Sequence, residues 1–161
     1  MSATYAEILN GAALARRAPG ERHELICRRL HQWVRASVAD FAGTRLLAPR
    51  AEVRLSLKHT VRPDMALVAA ATGKMWLAAE IVSSDDHQPD TVIKKQIYEE
   101  VRLPRLWMID PRYDNVEVYH SSEYGLTLKS ILAGRELLTE RLLPEFQLTI
   151  SELFAVPSPP G

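Results

Sequence analysis

The spacing of apolar residues along the chain changes period several times, and each change marks an element. After the break at Pro19-Gly20, Ile26, Leu30, Trp33, Val38 and Phe41 recur at roughly helical spacing, which predicts one amphipathic helix over residues 21–41. From Thr44 the period falls to two. Val53, Leu55 and Leu57 alternate with Arg54 and Ser56, as in a half-buried strand. Residues 65–68 and 75–82 are apolar runs of strand length around the turn signal Thr72-Gly73, which predicts a hairpin. A polar loop, residues 83–89, follows it.

Asp90 can cap a helix running to about Arg102, with Ile93, Ile97 and Val101 on its apolar side and Lys94 and Tyr98 on a flanking face. Residues 106–109 suit a central strand closed by Asp110-Pro111, with Asp110 as a turn residue. Val116, Val118 and His120 alternate with Glu117 and Tyr119 in a further strand. Gly125 and Gly134 punctuate another hairpin, and Ser151 is placed to cap a short helical turn through Phe154. Residues 2–18 are Ala-rich with a turn at Asn10-Gly11, and the pattern assigns them no element. The tail, residues 156–161, carries three prolines and is expected to be disordered. This order of elements predicts an α/β (α+β) fold with a mixed sheet flanked by helices, in a single domain over residues 1–155.

Composition narrows the function classes only a little. The chain has 161 residues, 47% hydrophobic and 25% charged, with zero formal net charge. Nucleic-acid-binding domains usually show a basic excess; a neutral chain would need its positive charge gathered locally. The single cysteine, Cys27, excludes an internal disulfide and a cysteine-based zinc cluster, and in a helix it reads as a buried thiol. No apolar run approaches the roughly 18 residues that span a membrane, and the N-terminus has no signal-peptide core, so a cytoplasmic location is expected.

The candidate chemistry lies in residues 61–111. Pairing the two hairpin runs about Thr72 sets Asp64 opposite Glu80, and puts Asp64, Ala66 and Val68 on one face with Glu80, Ala78 and Trp76. Directly opposed residues have Cβ atoms about 4.5–5.5 Å apart, and like charges so placed repel. A hard divalent cation between them would relieve this, since Mg²⁺ takes one or two carboxylates with water and phosphate oxygens. The plainer reading is a hairpin rim where one carboxylate meets solvent or a nearby Arg. Lys94, in the first turns of its helix, either reaches back to the strand end bearing Glu80 or is an ordinary surface lysine. Arg22, Arg29 and Arg35, with Arg28 beside them, run along one side of the first helix, as a solvated face or as contacts to a nucleic-acid backbone.

The same stretch reads Pro63-Asp64, then Glu80-Ile81-Val82-Ser83-Ser84, then Lys94 and Tyr98, Arg102-Leu103, and Leu106-Trp107-Met108-Ile109-Asp110-Pro111. In order and spacing it resembles the PD-(D/E)XK nuclease superfamily, and within it the Uma-type family of restriction endonuclease-like proteins. The family pattern is PD, then E-V-L-S-P, K-x-x-x-Y and G-V-x-x-Y-W-x-V-D-P. Residues 5–11, YAEILNG, and His23 match the opening segment more loosely, so the resemblance covers residues 5–119. Ser84 replaces the usual Pro and Arg102-Leu103 replaces Gly-Val. The superfamily's E-x-K lysine is missing, because Val82 stands two after Glu80; in the Uma-type pattern the following helix supplies it, which points to Lys94.

The resemblance implies a restriction-endonuclease-like fold and a metal-dependent endonuclease that hydrolyses phosphodiesters in nucleic acid, DNA foremost. Asp64 and Glu80 would hold Mg²⁺ or Mn²⁺, the Ile81 carbonyl would be a third ligand, and Lys94 would assist. Tyr98 would position Lys94 or simply pack. Glu24 is a secondary candidate, because nucleases of this superfamily often carry a helical acidic residue near the metal. Two other readings compete. One is a nucleic-acid-binding module that does not cut; the other is a protein-interaction module, for which the neutral charge speaks. A homodimer is expected by analogy with nucleases whose two subunits flank one substrate.

Overall fold

The computed structural model of the protein describes residues 4–83 and 89–156, with residues 89 and 90 described by backbone alone. Its centre is a six-stranded mixed sheet. In sheet order it consists of β10 (Gly125–Ala133), β9 (Asn115–Ser122), β8 (Arg105–Asp110), β7 (Met75–Ile81), β6 (Met65–Ala69) and β3 (Thr44–Leu46). Among the described strands only β7 and β8 pair in parallel, and that crossover carries a π-helical segment, Pro89–Lys94, continuing into α2, Lys95–Glu100. Asp90 as a helix cap and the loop before it fall outside the described side chains.

Two layers cover the sheet. On one face, Met65, Leu67, Leu77, Ala79, Ile81, Trp107 and Ile109 pack under α1 (Glu21–Val38), α3 (Ile150–Leu153) and the ribbon of β11 (Leu137–Glu140) and β12 (Leu143–Thr149). There Trp107 stacks on Phe146 at 5.4 Å between ring centroids. On the other face, Ala66, Val68, Ala78, Val82, Leu106 and Met108 meet Ile97 and Tyr98 of α2, together with Leu9 and Val61 from a second, four-stranded sheet. The order of that sheet is β2 (Ala12–Arg16), β1 (Tyr5–Leu9), β5 (Thr60–Val61) and β4 (Val53–Arg54).

The Ala-rich N-terminus is therefore a hairpin. Asn10 and Gly11 adopt φ of 54° and 79°, the two left-handed positions that a tight two-residue turn requires. Its inward face defeats pattern reading because Glu7 and Arg16 occupy buried positions while Ala6, Ile8 and Ala13 face out.

Other expectations are corrected. The first helix ends at Val38, and its buried stripe is Ile26, Cys27, Leu30, His31 and Val34; Trp33 and Phe41 are largely exposed. The strand expected through Leu57 stops after Arg54. The Leu55 and Ser56 N–H groups donate to the His59 carbonyl in a turn, and Leu57 stands 90% exposed at its tip. Trp76 is not on the face of Ala78: a bulge between Leu67 and Val68 sets Val68 opposite Met75, and Trp76 packs on the α1 side with its indole N–H donated to Thr44 Oγ1. Ser151 lies inside α3, whose N-cap is Thr149 with no side-chain cap. Of the tail, Val156 is exposed and residues 157–161 lie outside the described part.

Candidate active site

The β6–β7 hairpin sets the geometry. Met65 pairs with Ala79, Ala66 with Ala78 and Leu67 with Leu77, so Asp64 and Glu80 meet at the same end of the ladder. Asp64 is tied to that end by its own side chain: Ile81 N–H donates to Asp64 Oδ2 at 2.8 Å. Its main-chain carbonyl accepts from His31 Nε2 at 2.7 Å and from the Cys27 thiol, which fixes the start of β6 against α1. The other carboxylate oxygen, Oδ1, meets His23 Nε2 at 2.9 Å and Arg50 at 3.1 Å. A carboxylate only accepts, so the His23 Nε2 carries the proton.

Burial disfavours the ionised Asp64. The His23 hydrogen bond and charge, the Ile81 N–H and the Lys94 charge outweigh it, and the carboxyl is held below the usual carboxylate range. Burial also pushes the Cys27 thiol up to about 12, so it is no nucleophile at neutral pH.

Lys94 reaches the strand end bearing Glu80. On the pattern of its helix it sits beside the apolar stripe; in the fold it ends the π-helical segment and is 1% exposed. Its ammonium lies 2.6 Å from Glu80 Oε2 and 2.7 Å from Glu7 Oε2. Tyr98, one helical turn further on, donates its hydroxyl to the same Glu80 oxygen. Glu7, with no exposed surface, also accepts from Arg16 at 2.6 Å and from the Arg62 main-chain N–H at 2.7 Å. The repulsion expected between opposed carboxylates is thus answered by protein cations, Lys94 at Glu80 and Arg50 with His23 at Asp64. A hard-ion ligand set survives this pairing, since carboxylate oxygens carry more than one acceptor site. Among the described residues no three His, Cys, Asp or Glu side chains form a ready-made metal cage.

A cleft of about 470 Å³ opens beside this cluster, where the chain leaves β7 at Val82 and Ser83. Arg16, Arg17, Arg22, His23 and Arg112 line it, with Glu21 as the acidic residue of the lining. Arginine side chains are therefore gathered at one place on a neutral chain, and Arg16, Arg22 and Arg112 among them are paired with carboxylates. Arg112 is held by a two-pronged contact to Asp110, whose Oδ1 also accepts from the Arg112 main-chain N–H, so Asp110 is the turn residue expected. Arg22 pairs with Asp114 at the rim.

The structure brings Asp64, Glu80, Ile81, Lys94 and Tyr98 together. Glu24 stands one partner away, bonded at 2.6 Å to the Arg50 that also reaches Asp64. The arginine row of α1 is split. Arg22 lines the cleft, Arg29 donates to the Leu153 and Ala155 carbonyls, and Arg35 is exposed on the helix away from the lining. Sequence reading gave no role to Glu7, Arg16 or Arg50. The Asn10-Gly11 turn held the signal for the first two, because a two-residue turn sets Glu7 and Arg16 on one face of the hairpin. Arg50, a loop residue at φ 57°, gave none.

A family model described as "Putative restriction endonuclease", Uma2, matches residues 3–151. The chain belongs to the Uma2 family. Among solved structures the Uma2 chain resembles a protein from Anabaena variabilis ATCC 29413 described as "a putative nuclease belonging to DUF820". The TM-score is 0.78 at 17% identity, with 93% of this chain and 89% of that chain covered. At that identity the likeness speaks for the fold alone, and the fold is restriction-endonuclease-like. No curated protein matches the sequence significantly. No helix among the described residues is long and apolar enough to cross a membrane.

Proposed function

We propose that this Uma2 protein is a metal-dependent endonuclease that hydrolyses phosphodiester bonds in nucleic acid, with DNA as the first substrate to try. One observation carries the reading: a buried lysine bonded to Glu80, near the ionised Asp64, behind an arginine-lined cleft whose lining includes His23, the partner of Asp64, and Arg16, the partner of Glu7. A scaffold gains little from sealing such charges, since buried ion pairs often contribute less than a hydrophobic replacement.

The donor set fits a hard divalent ion. Asp64 and Glu80 offer carboxylate oxygens, and Mg²⁺ is commonly held by one or two carboxylates with substrate phosphate, without an all-protein cage. Asp64, Glu80 and the Ile81 carbonyl would hold Mg²⁺ or Mn²⁺, which when bound activates water and offsets phosphate charge.

The chain's own groups do the rest. Arg17, Arg22 and Arg112 meet the phosphate backbone in the cleft. Lys94 places a compact positive charge where negative charge grows in the transition state. Glu7 holds that ammonium in position, and Tyr98 holds the Glu80 oxygen that the ammonium also meets. The test is cleavage of plasmid and of single-stranded oligonucleotides with Mg²⁺ or Mn²⁺. Asp64→Ala and Glu80→Ala are expected to lose activity while keeping a native circular dichroism spectrum. A mutant that cuts like wild type would refute the assignment.

A second reading has an observation of its own: both candidate ligands are already paired with protein cations. On that reading the domain binds nucleic acid without cutting. It would show salt-dependent affinity and no turnover with any divalent ion.

A further inference from the structure

Each of the two candidate metal-binding carboxylates shares its cation with a second carboxylate. Arg50 spans Asp64 Oδ1 at 3.1 Å and Glu24 Oε1 at 2.6 Å. Lys94 spans Glu80 Oε2 at 2.6 Å and Glu7 Oε2 at 2.7 Å. The outer partners come from elements that otherwise have no part in the hairpin: Glu24 from the first turn of α1, Glu7 from the N-terminal strand β1.

We infer that Glu24 and Glu7 are holding residues that keep Arg50 and Lys94 when a divalent ion takes over Asp64 and Glu80. The inference rests on the metal-dependent reading of the site. Its physical basis is the cost of stranding a charge. An ion arriving at Asp64 competes with Arg50 for the carboxylate. A displaced guanidinium left unpaired in a largely buried position would be costly. With Glu24 already bonded through its other nitrogen, Arg50 gives up one contact and keeps the stronger-placed one. The same holds for Lys94, whose ammonium has three donors and can stay on Glu7 while loosening from Glu80. The resting protein thus neutralises its carboxylates, and the two cations remain at hand to meet phosphate.

The Arg50–Glu24 half is the one to test, because both side chains retain some exposure and their loss threatens the fold least. Mn²⁺ alone is titrated by calorimetry into wild type, Arg50→Ala, Glu24→Gln and the double variant, each first checked by thermal melting; Arg50→Gln serves if Arg50→Ala melts early. Arg50→Ala is expected to bind Mn²⁺ about tenfold more tightly, a change equivalent to about 1.4 kcal/mol. Glu24→Gln is expected to weaken binding about fivefold while Arg50 is present, and to have no effect once Arg50 is gone; the coupling is the signature. Equal weakening by Glu24→Gln in both backgrounds would overturn the inference, since it would make Glu24 a ligand or a distant charge. No Mn²⁺ binding by any of the four proteins would overturn the metal-dependent reading itself.

Discussion

Lys94 Nζ lies 2.6 Å from Glu80 Oε2, and neither side chain reaches solvent. The pair joins the crossover helix to the end of β7, and through Glu7 it also anchors the N-terminal hairpin. Removing one partner of a buried ion pair strands the other and costs about 3–5 kcal/mol. Lys94→Met is expected to lose stability in that range, measured by urea unfolding. Adding Glu80→Gln should recover part of the loss, because one stranded charge is then gone. A loss under about 1 kcal/mol would show that water reaches the site in solution.

Asp64 titrates below the usual carboxylate range in the folded protein. Between the folded value and the unfolded value of about 3.9, the unfolded chain binds the extra proton, so stability rises with pH. The contribution is complete above about pH 4 and is lost as pH falls through the folded value. Urea midpoints measured from pH 7 to pH 2 should therefore drop on the acid side. Asp64→Asn should flatten that limb, and an unchanged slope would contradict the depressed value.

Arg17 and Arg112 both line the cleft, as does Ser83. If both meet phosphates, each neutralised charge contributes a slope of about 0.9 in log affinity against log salt for duplex DNA, and about 0.7 for a single strand. Arg17→Ala and Arg112→Ala should each lower affinity and reduce the slope by that amount in fluorescence anisotropy. Arg35→Ala, on the exposed side of α1, should leave both unchanged.

Trp107 stacks on Phe146 in the sheet core, and among the described residues its indole N–H has no hydrogen-bond partner. An unsatisfied buried donor costs about 1–3 kcal/mol. Trp107→Phe removes that donor as well as some packing, so its stability should lie within about 1 kcal/mol of wild type. Trp107→Ala leaves a cavity and should cost about 3–5 kcal/mol. Chemical denaturation of the two variants separates the contributions.

The apolar pattern carried α1, the β6–β7 hairpin, the crossover helix and the spine of the site, and missed the N-terminal hairpin. The turn at Thr72-Gly73 between two apolar runs set the β6–β7 pairing from Met65–Ala79 to Leu67–Leu77, because a hairpin's turn fixes which residues face each other. Asp64 and Glu80 were thereby set at one strand end, and helical spacing put Tyr98 one turn from Lys94. Tertiary structure alone decided which charges answer them. Glu7 and Arg16 share the buried side of the hairpin with Leu9 and Leu14 while Ile8 and alanines face out, so their place follows from the Arg16–Glu7 and Glu7–Lys94 ion pairs, and pattern reading is blind to that. Arg50 and Arg112 come from loops, where no periodicity records direction, and they converge only because the two sheets and α1 meet at the hairpin end. A net charge of zero hid the arginine-lined cleft for the same reason: composition sums charges over the whole chain, while the fold gathers them in space.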